Sequence, residues 1–430
     1  MPARISPSRR LSGSLRLPGD KSISHRYAML AAVAEGTTRI RNYSTGADCR
    51  STLGALETLG VRVDPQPGEL LIHGRGLEGL AEPSAVVDAG NSGSTIRMLA
   101  GMVAGHPFTT RIAGDESLSR RPMERIMGPL VQMGASVQAR EGRYPPLEIR
   151  GARLRPIDYT LPVASAQVKT CVLFAGLYAD GVTTVREPVR TRDHTEIALG
   201  QFGAAVEAGN RVISIHGRPQ LKAQDLTVPG DLSSAAFFLV AALLVPDSEL
   251  IIEGVGLNPT RSALLDFLAS MGADIRILDI RQQAGEPVGD IQVRHSAVRG
   301  GVIEKELAAA LIDEIPVLAV LGAASEEGLT VRDAAELRVK ETDRIATVAE
   351  NLRRMGVEIE VLPDGFRVPG RQRFRAAQLD SFGDHRIAMA FAVAALRADG
   401  ECAIDGAEAA SVSFPEFFPT LSSVTLHGSR

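Results

Sequence analysis

Lys21, His25 and Arg26 stand close behind a Pro-Gly turn, in Leu17-Pro18-Gly19-Asp20-Lys21-Ser22-Ile23-Ser24-His25-Arg26. The apolar, alanine-rich run Tyr27 to Ala34 follows, so this stretch predicts a loop opening a buried helix with Asp20 or Ser22 as its cap. Free N–H groups at a helix start attract anions, and the helix dipole there disfavours cations. Cations in these first turns therefore fit a bound anion. Residues 13–22 imitate a phosphate-binding P-loop, but Asp20 separates Gly19 from Lys21 and the Gly-Lys-Ser is absent.

Other stretches carry comparable chemistry. Arg121 precedes Pro122, which predicts an extended arginine ahead of a proline at a helix N1 position. Leu337-Arg338-Val339-Lys340-Glu341-Thr342-Asp343-Arg344 reads as the start of a helix ending near Met355, with Lys340 and Arg344 one turn apart and Glu341 beside Arg344. A carboxylate among Lys and Arg is a candidate for moving protons. Asp313-Glu314 sits in an apolar helix expected over Leu307 to Leu321, where Asp313 is either a cap or a general base. Arg192-Asp193-His194-Thr195-Glu196 and Ser165-Ala166-Gln167-Val168-Lys169 open helices and offer donors to phosphate or hydroxyl oxygens. His385, beside Arg386, is a proton relay or a structural residue.

These residues need elements to position them. At 430 residues the chain is too long for one ordinary core, so two domains are expected. With 44% hydrophobic and 23% charged residues it reads as soluble and globular. The start, Met1 to Arg10, has no apolar segment of a secretory signal, and a cytoplasmic protein is expected. Cys49, Cys171 and Cys402 show no metal-ligand spacing. A net charge of −4 argues against general nucleic-acid binding and makes any anion site a local concentration of Lys and Arg.

One pattern recurs six times, at intervals of about 70 to 80 residues. Its openings are Gly19-Asp20-Lys21-Ser22, Gly90-Asn91-Ser92-Gly93-Ser94, Val163-Ala164-Ser165-Ala166-Gln167, Gly230-Asp231-Leu232-Ser233-Ser234, Ile312-Asp313-Glu314-Ile315-Pro316 and Gly383-Asp384-His385-Arg386. Each leads into an apolar helix, a strand, an amphipathic helix and another strand; five of the amphipathic helices close at Gly60, Gly134, Gly203, Gly272 or Gly356. Three repeats make one domain, with buried helices and sheets facing solvent. Assigning the strand Ile5 to Leu17 to the later half gives one discontinuous domain, 1–17 with 230–430, and a second over 18–229. Lys21, Arg26, Arg97, Lys169 and Arg386 recur in the first turns, which points to an anionic ligand between the domains.

Together these residues resemble the 5-enolpyruvylshikimate-3-phosphate synthase family over essentially the whole chain. The matching stretches are Pro18 to Arg26, Gly90-Asn91-Ser92-Gly93-Ser94, Arg121-Pro122-Met123, Ser165-Ala166-Gln167, Arg338 to Arg344, Asp384-His385-Arg386 and Ser413-Phe414-Pro415-Glu416-Phe417. The resemblance implies an α/β fold of two similar domains, each of three βαβαββ units in an inside-out barrel, with the active site in the interdomain cleft. It implies transfer of the enolpyruvyl group of phosphoenolpyruvate to the 5-hydroxyl of shikimate 3-phosphate, with no metal or other cofactor. Carried over by position, Lys21 touches both substrates and assists proton transfer. Ser22, Arg26, Ser165, Gln167, Arg192 and Lys340 hold shikimate 3-phosphate, and Asp313 is the base for its hydroxyl. Asn91, Gly93 and Gln167 serve phosphoenolpyruvate, whose anionic groups Arg121, Arg344 and Arg386 grip. Glu341 exchanges protons at the methylene carbon, and His385 joins the catalytic set.

The best-known branch of the family carries a lysine where this chain has Val412. Ser165-Ala166-Gln167-x-Lys169, Arg192-x-His194-x-Glu196 and Asn258-x-Thr260-Arg261 instead look like the second, often glyphosate-tolerant branch, although Gly93 is the small residue of sensitive enzymes. The competing reading is UDP-N-acetylglucosamine enolpyruvyl transferase, but Gly114 to Arg120 lacks that family's reactive cysteine. A non-catalytic anion- or nucleic-acid-binding protein is the alternative from another class. The expected partners are two small anionic substrates, with no nucleic acid and no membrane, and nothing demands more than a monomer.

Overall fold

The structure, a computed structural model, describes residues 2–426. The chain divides into two compact units, one of residues 1–18, 229–282 and 287–430, the other of 19–228 and 283–286. Each has its own hydrophobic core. The short segment 283–286 groups with the second unit, away from its neighbours in sequence, a placement the repeat does not foretell.

The six repeat openings start six helices: Lys21–Val33, Gly93–Val103, Ala166–Gly176, Leu232–Leu244, Ile315–Ala324 and His385–Ala395. Asp20, Ser92, Ser165, Asp231 and Asp384 cap five of them, each side chain accepting a backbone N–H of the first turn. Every residue of Leu232–Leu244 is buried, which follows from its lack of a polar face. Helices this bare pack closely. A Cβ at Gly101 would stand 2.1 Å from the Cys171 carbonyl oxygen, so the Gly93–Val103 and Ala166–Gly176 helices meet backbone to backbone.

The sheets are small and mixed. In the second unit, strand 87–88 runs through helix Gly93–Val103 to Thr109–Ala113, its parallel neighbour, and two antiparallel strands complete the sheet. The same plan recurs for strands Asp158–Thr160 and Val182–Arg186. In the first unit, Gly300–Ile303 and Gly328–Val331 repeat it. Where the chain crosses between units, the partners are exchanged. Arg10–Arg16 precedes helix Lys21–Val33 but lies parallel to Glu249–Gly256, and Asp225–Thr227 precedes helix Leu232–Leu244 but lies parallel to Glu35–Arg41. The glycines closing the amphipathic helices all take positive φ. At Gly134 (φ 114°) any other L-residue would be strained.

Four local expectations are corrected. The strand expected over Ile5 to Leu17 is two strands, Ala3–Ile5 and Arg10–Arg16, in different sheets, divided at Pro7, which has no N–H for a ladder. The helix expected over Leu307 to Leu321 breaks into Lys305–Ala310 and Ile315–Ala324, because Pro316 starts a new helix and cannot continue an old one. The segment from Leu337 is a 3-10 turn, Ala335–Val339, and helix Arg344–Arg354 begins only where Asp343 caps Ala346 N. Lys340 therefore lies in extended backbone outside the helix, not one turn before Arg344. Arg121 is extended as expected (φ −85°, ψ 132°), but its helix starts at Glu124, so Pro122 is not its first residue.

Candidate active site

The chemistry-bearing residues gather at helix starts within each unit. In the second unit, Lys21 begins its helix and pairs with Asp48 at 2.9 Å. Ser22 follows, half-buried. Arg26, one turn on, donates to Ser22 O (2.7 Å), Thr195 Oγ1 (2.7 Å) and Thr170 Oγ1 (2.9 Å). All three acceptors are neutral. Burial lowers this guanidinium to about 10, only partly offset by Glu196 and Asp20, and Arg192 lowers it further. Arg121 donates to Asn91 O (3.2 Å), Asn91 Oδ1 (2.7 Å) and Ser117 Oγ (3.0 Å), and Asn91 Nδ2 is fixed by Asp115 at 2.7 Å. Gly93 is the first residue of its helix, and Ser165 caps the helix that carries Gln167.

A buried hydroxyl chain ties these helix starts together. His25 Nδ1 meets Thr52 Oγ1 at 2.6 Å, Thr52 meets Thr95 at 2.7 Å, and Thr95 donates to Ser92 Oγ at 2.8 Å. Burial, with Lys21 and Arg26 alongside, holds His25 well below the usual histidine range, so it is neutral.

Lys169 departs from expectation. Its place in a helix's first turn puts it among the cations aimed at an anionic ligand, but it is fully buried between Glu196 (2.7 Å) and Glu187 (3.2 Å). Burial raises the Glu196 carboxyl, an effect Lys169 only partly opposes. Lys169 answers carboxylates of its own unit.

In the first unit, Arg344 opens its helix against Asp384, donating from Nε (2.8 Å) and Nη2 (3.2 Å), and reaches Glu341 at 2.6 Å. Asp313 lies 3.7 Å from both Lys340 Nζ and Arg344 Nη1. Burial alone would lower Arg344, but Asp384, Glu341 and Asp313 outweigh it and hold the guanidinium above its ordinary value. For Asp384, burial is the largest influence and pushes upward, but the charge and hydrogen bond of Arg344, with His385, together bring the carboxyl below its ordinary value. Lys340 keeps 29% side-chain exposure yet is held below the ordinary lysine range, desolvation exceeding the help from Asp313. Arg386 donates to Ser233 Oγ (2.6 Å) and to the Asp313 carbonyl oxygen (2.9 Å). His385 is 1% exposed, its Nδ1 4.0 Å from Asp384.

Reasoning from sequence missed two partners. Asp48, which holds Lys21, carries no signal beyond an acidic residue in a helical first turn. Glu314 reads as an ordinary cap beside Asp313, yet it accepts from Arg261 and Ser233 and lies 3.7 Å from Arg386. Among the described residues no group of three or more His, Cys, Asp or Glu could hold a metal ion, and no helix is long and apolar enough to cross a membrane.

Guanidinium and ammonium groups stand at buried helix starts in each unit with carboxylates among them, an arrangement whose chemistry suits small anions and proton movement. The architecture is that of an enolpyruvyl transferase. NikO from Streptomyces tendae, an enolpyruvyl transferase, shares the fold with a TM-score of 0.77 over 98% of this chain and 96% of its own, at 21% identity. EPSP synthase from Acinetobacter baumannii matches with a TM-score of 0.88 and 41% identity over 98% of each chain. The sequence model of EPSP synthase (3-phosphoshikimate 1-carboxyvinyltransferase) matches residues 5–421. A protein named 3-phosphoshikimate 1-carboxyvinyltransferase from Solibacter usitatus is 67% identical over 99% of this chain and 100% of its own. A protein of the same name from Koribacter versatilis is 53% identical over 98% of each. The chain belongs to the EPSP synthase family.

Proposed function

We propose that this protein transfers the enolpyruvyl group of phosphoenolpyruvate to the 5-hydroxyl of shikimate 3-phosphate. The methylene carbon gains a proton, the hydroxyl oxygen bonds to C2, and a tetrahedral intermediate forms. Loss of the methyl proton and departure of phosphate with the C–O bonding pair restore the double bond. The observation that carries this reading is Asp313, a carboxylate 3.7 Å from two cationic groups and backed by Arg386 on its own carbonyl. It is suited to take the hydroxyl proton among cations that also stabilise anions.

Arg121, Arg344 and Arg386 bind phosphoenolpyruvate, with Asn91, Gly93 and Gln167. Ser22, Arg26, Ser165, Gln167, Arg192 and Lys340 bind shikimate 3-phosphate. Lys21 contacts both and assists proton transfer, Glu341 exchanges the methylene proton, and buried His385 serves the catalytic set from beside Asp384. The protein acts in the cytoplasm as a monomer.

The experiment is phosphate release from phosphoenolpyruvate with shikimate 3-phosphate or UDP-N-acetylglucosamine as acceptor. Release only with shikimate 3-phosphate is the expected result. Release only with the sugar nucleotide, or with neither, overturns the proposal.

A further inference from the structure

We propose that Arg97 is a positioning residue that fixes the side-chain amide of Gln167 as a hydrogen-bond donor towards substrate, from a place directly over Gly93. The inference deepens the reaction proposed above and rests on it.

Gly93 and Arg97 lie one turn apart on helix Gly93–Val103. Long helical side chains lean back towards the N-terminus, so the Arg97 guanidinium covers Gly93. A Cβ at Gly93 would stand 2.9 Å from Arg97 Nη1 and 3.5 Å from Arg121 Nη1. The first distance is closer than carbon and nitrogen tolerate, so any side chain there displaces the Arg97 tip.

Displacement matters because of what that tip holds. Arg97 Nη1 donates to Gln167 Oε1 at 2.8 Å, and Nη2 reaches the carbonyl of Pro122, the residue after Arg121, at 3.4 Å. A guanidinium has only donors, so the Gln167 atom facing it is the amide oxygen. Gln167 Nε2 in turn donates to Ser94 Oγ at 2.9 Å. An amide nitrogen carries two hydrogens, and the second is left for a substrate oxygen. Phosphate and carboxylate oxygens only accept, so a reversed amide would confront them with its own oxygen. Arg97 forbids that reversal.

The test is a double-mutant cycle of Arg97→Met and Gly93→Ala, with Arg97→Lys as the conservative variant, read by KM for phosphoenolpyruvate, kcat and thermal midpoint. Arg97→Met is expected to raise KM for phosphoenolpyruvate about 10-fold or more, with kcat changed far less. Arg97→Lys, which keeps a donor for Gln167, recovers most of that loss. Gly93→Ala alone raises KM, but adds nothing in the Arg97→Met background, since the group it displaces is gone. Independent, additive effects overturn the proposal, as does a fall in kcat and midpoint with KM unmoved. If Arg97→Met does not fold, the cycle is run with Arg97→Gln, whose side chain is uncharged and too short to lie over Gly93. Wild-type protein that turns over no phosphoenolpyruvate refutes the reaction; additivity of the same variants in thermal midpoint then decides the Gly93–Arg97 contact separately.

Discussion

Glu314 and Arg261 form a buried, two-point ion pair: Nη2 and Nη1 of Arg261 donate to the carboxylate at 2.9 and 3.2 Å, with the side chains 2% and 6% exposed. Ser233 Oγ donates to the same carboxylate while accepting from Arg386 Nη1, so the pair anchors Arg386 through one hydroxyl.

Glu314→Gln leaves Arg261 buried without its anion and is expected to cost about 3–5 kcal/mol of stability. Urea unfolding measures it. A loss below about 1 kcal/mol would show that water or another group already serves Arg261.

Arg344 and Asp384 make the corresponding pair at a second helix start. Asp384 also accepts Arg386 N at 2.8 Å as the cap of its own helix. Asp384→Asn keeps the shape but removes the charge. Stability is expected to drop by about 3 kcal/mol, with KM for phosphoenolpyruvate rising as both arginines loosen. Unchanged KM would contradict the roles assigned to Arg344 and Arg386.

Lys169 is the sole cation in direct contact with Glu187 and Glu196 among the described ion pairs. Lys169→Met strands two buried carboxylates and is expected to yield little folded protein. Adding Glu196→Gln should restore part of the loss, since one stranded charge is then neutral. Circular dichroism of the two variants compares them, and no recovery in the double variant counts against the pair.

His25 makes stability depend on pH. Its folded value lies well below the 6.5 of the unfolded chain, so only the unfolded state takes up this proton as pH falls past 6.5. Its contribution is complete above pH 6.5 and is lost progressively on acidification towards the folded value. Between pH 6.5 and about 5, before carboxylates dominate, the wild-type slope should exceed that of His25→Gln by about 1.4 kcal/mol per pH unit. Parallel curves from denaturation at each pH would refute a neutral His25.

The helix starts were legible because capping is local chemistry. Asp20, Ser92, Ser165, Asp231 and Asp384 each bond an N–H two or three residues ahead, within the span a short motif reveals. The cap by Asp343 is equally local, but it lies inside the charged stretch from Leu337 that reads as already helical. Charge was harder to read. Lys169 and Arg121 look alike as cations near a helix start, but one meets Glu196 and the other Asn91 and Ser117, partners that only tertiary packing selects. The family stretches named the candidate residues, whereas the links Lys21–Asp48 and Arg97–Gln167 join positions 27 and 70 residues apart and have no motif.

The exchanged strands have a consequence for the order in which the molecule is made. Arg10–Arg16 leaves the ribosome long before the strand it lies beside, which begins with Glu249, opposite Ser12. A backbone N–H in it, that of Leu11, waits for a serine 237 residues downstream. At ~5–20 residues per second that is roughly 10 to 50 s. Residues 19–228 are made within that time and are free to collapse before the neighbour of Arg10–Arg16 emerges. The nascent chain therefore carries an unmated β-edge until Glu249–Gly256 emerges, and a chaperone or a serine-to-proline change at Ser12 would act there before that neighbour exists.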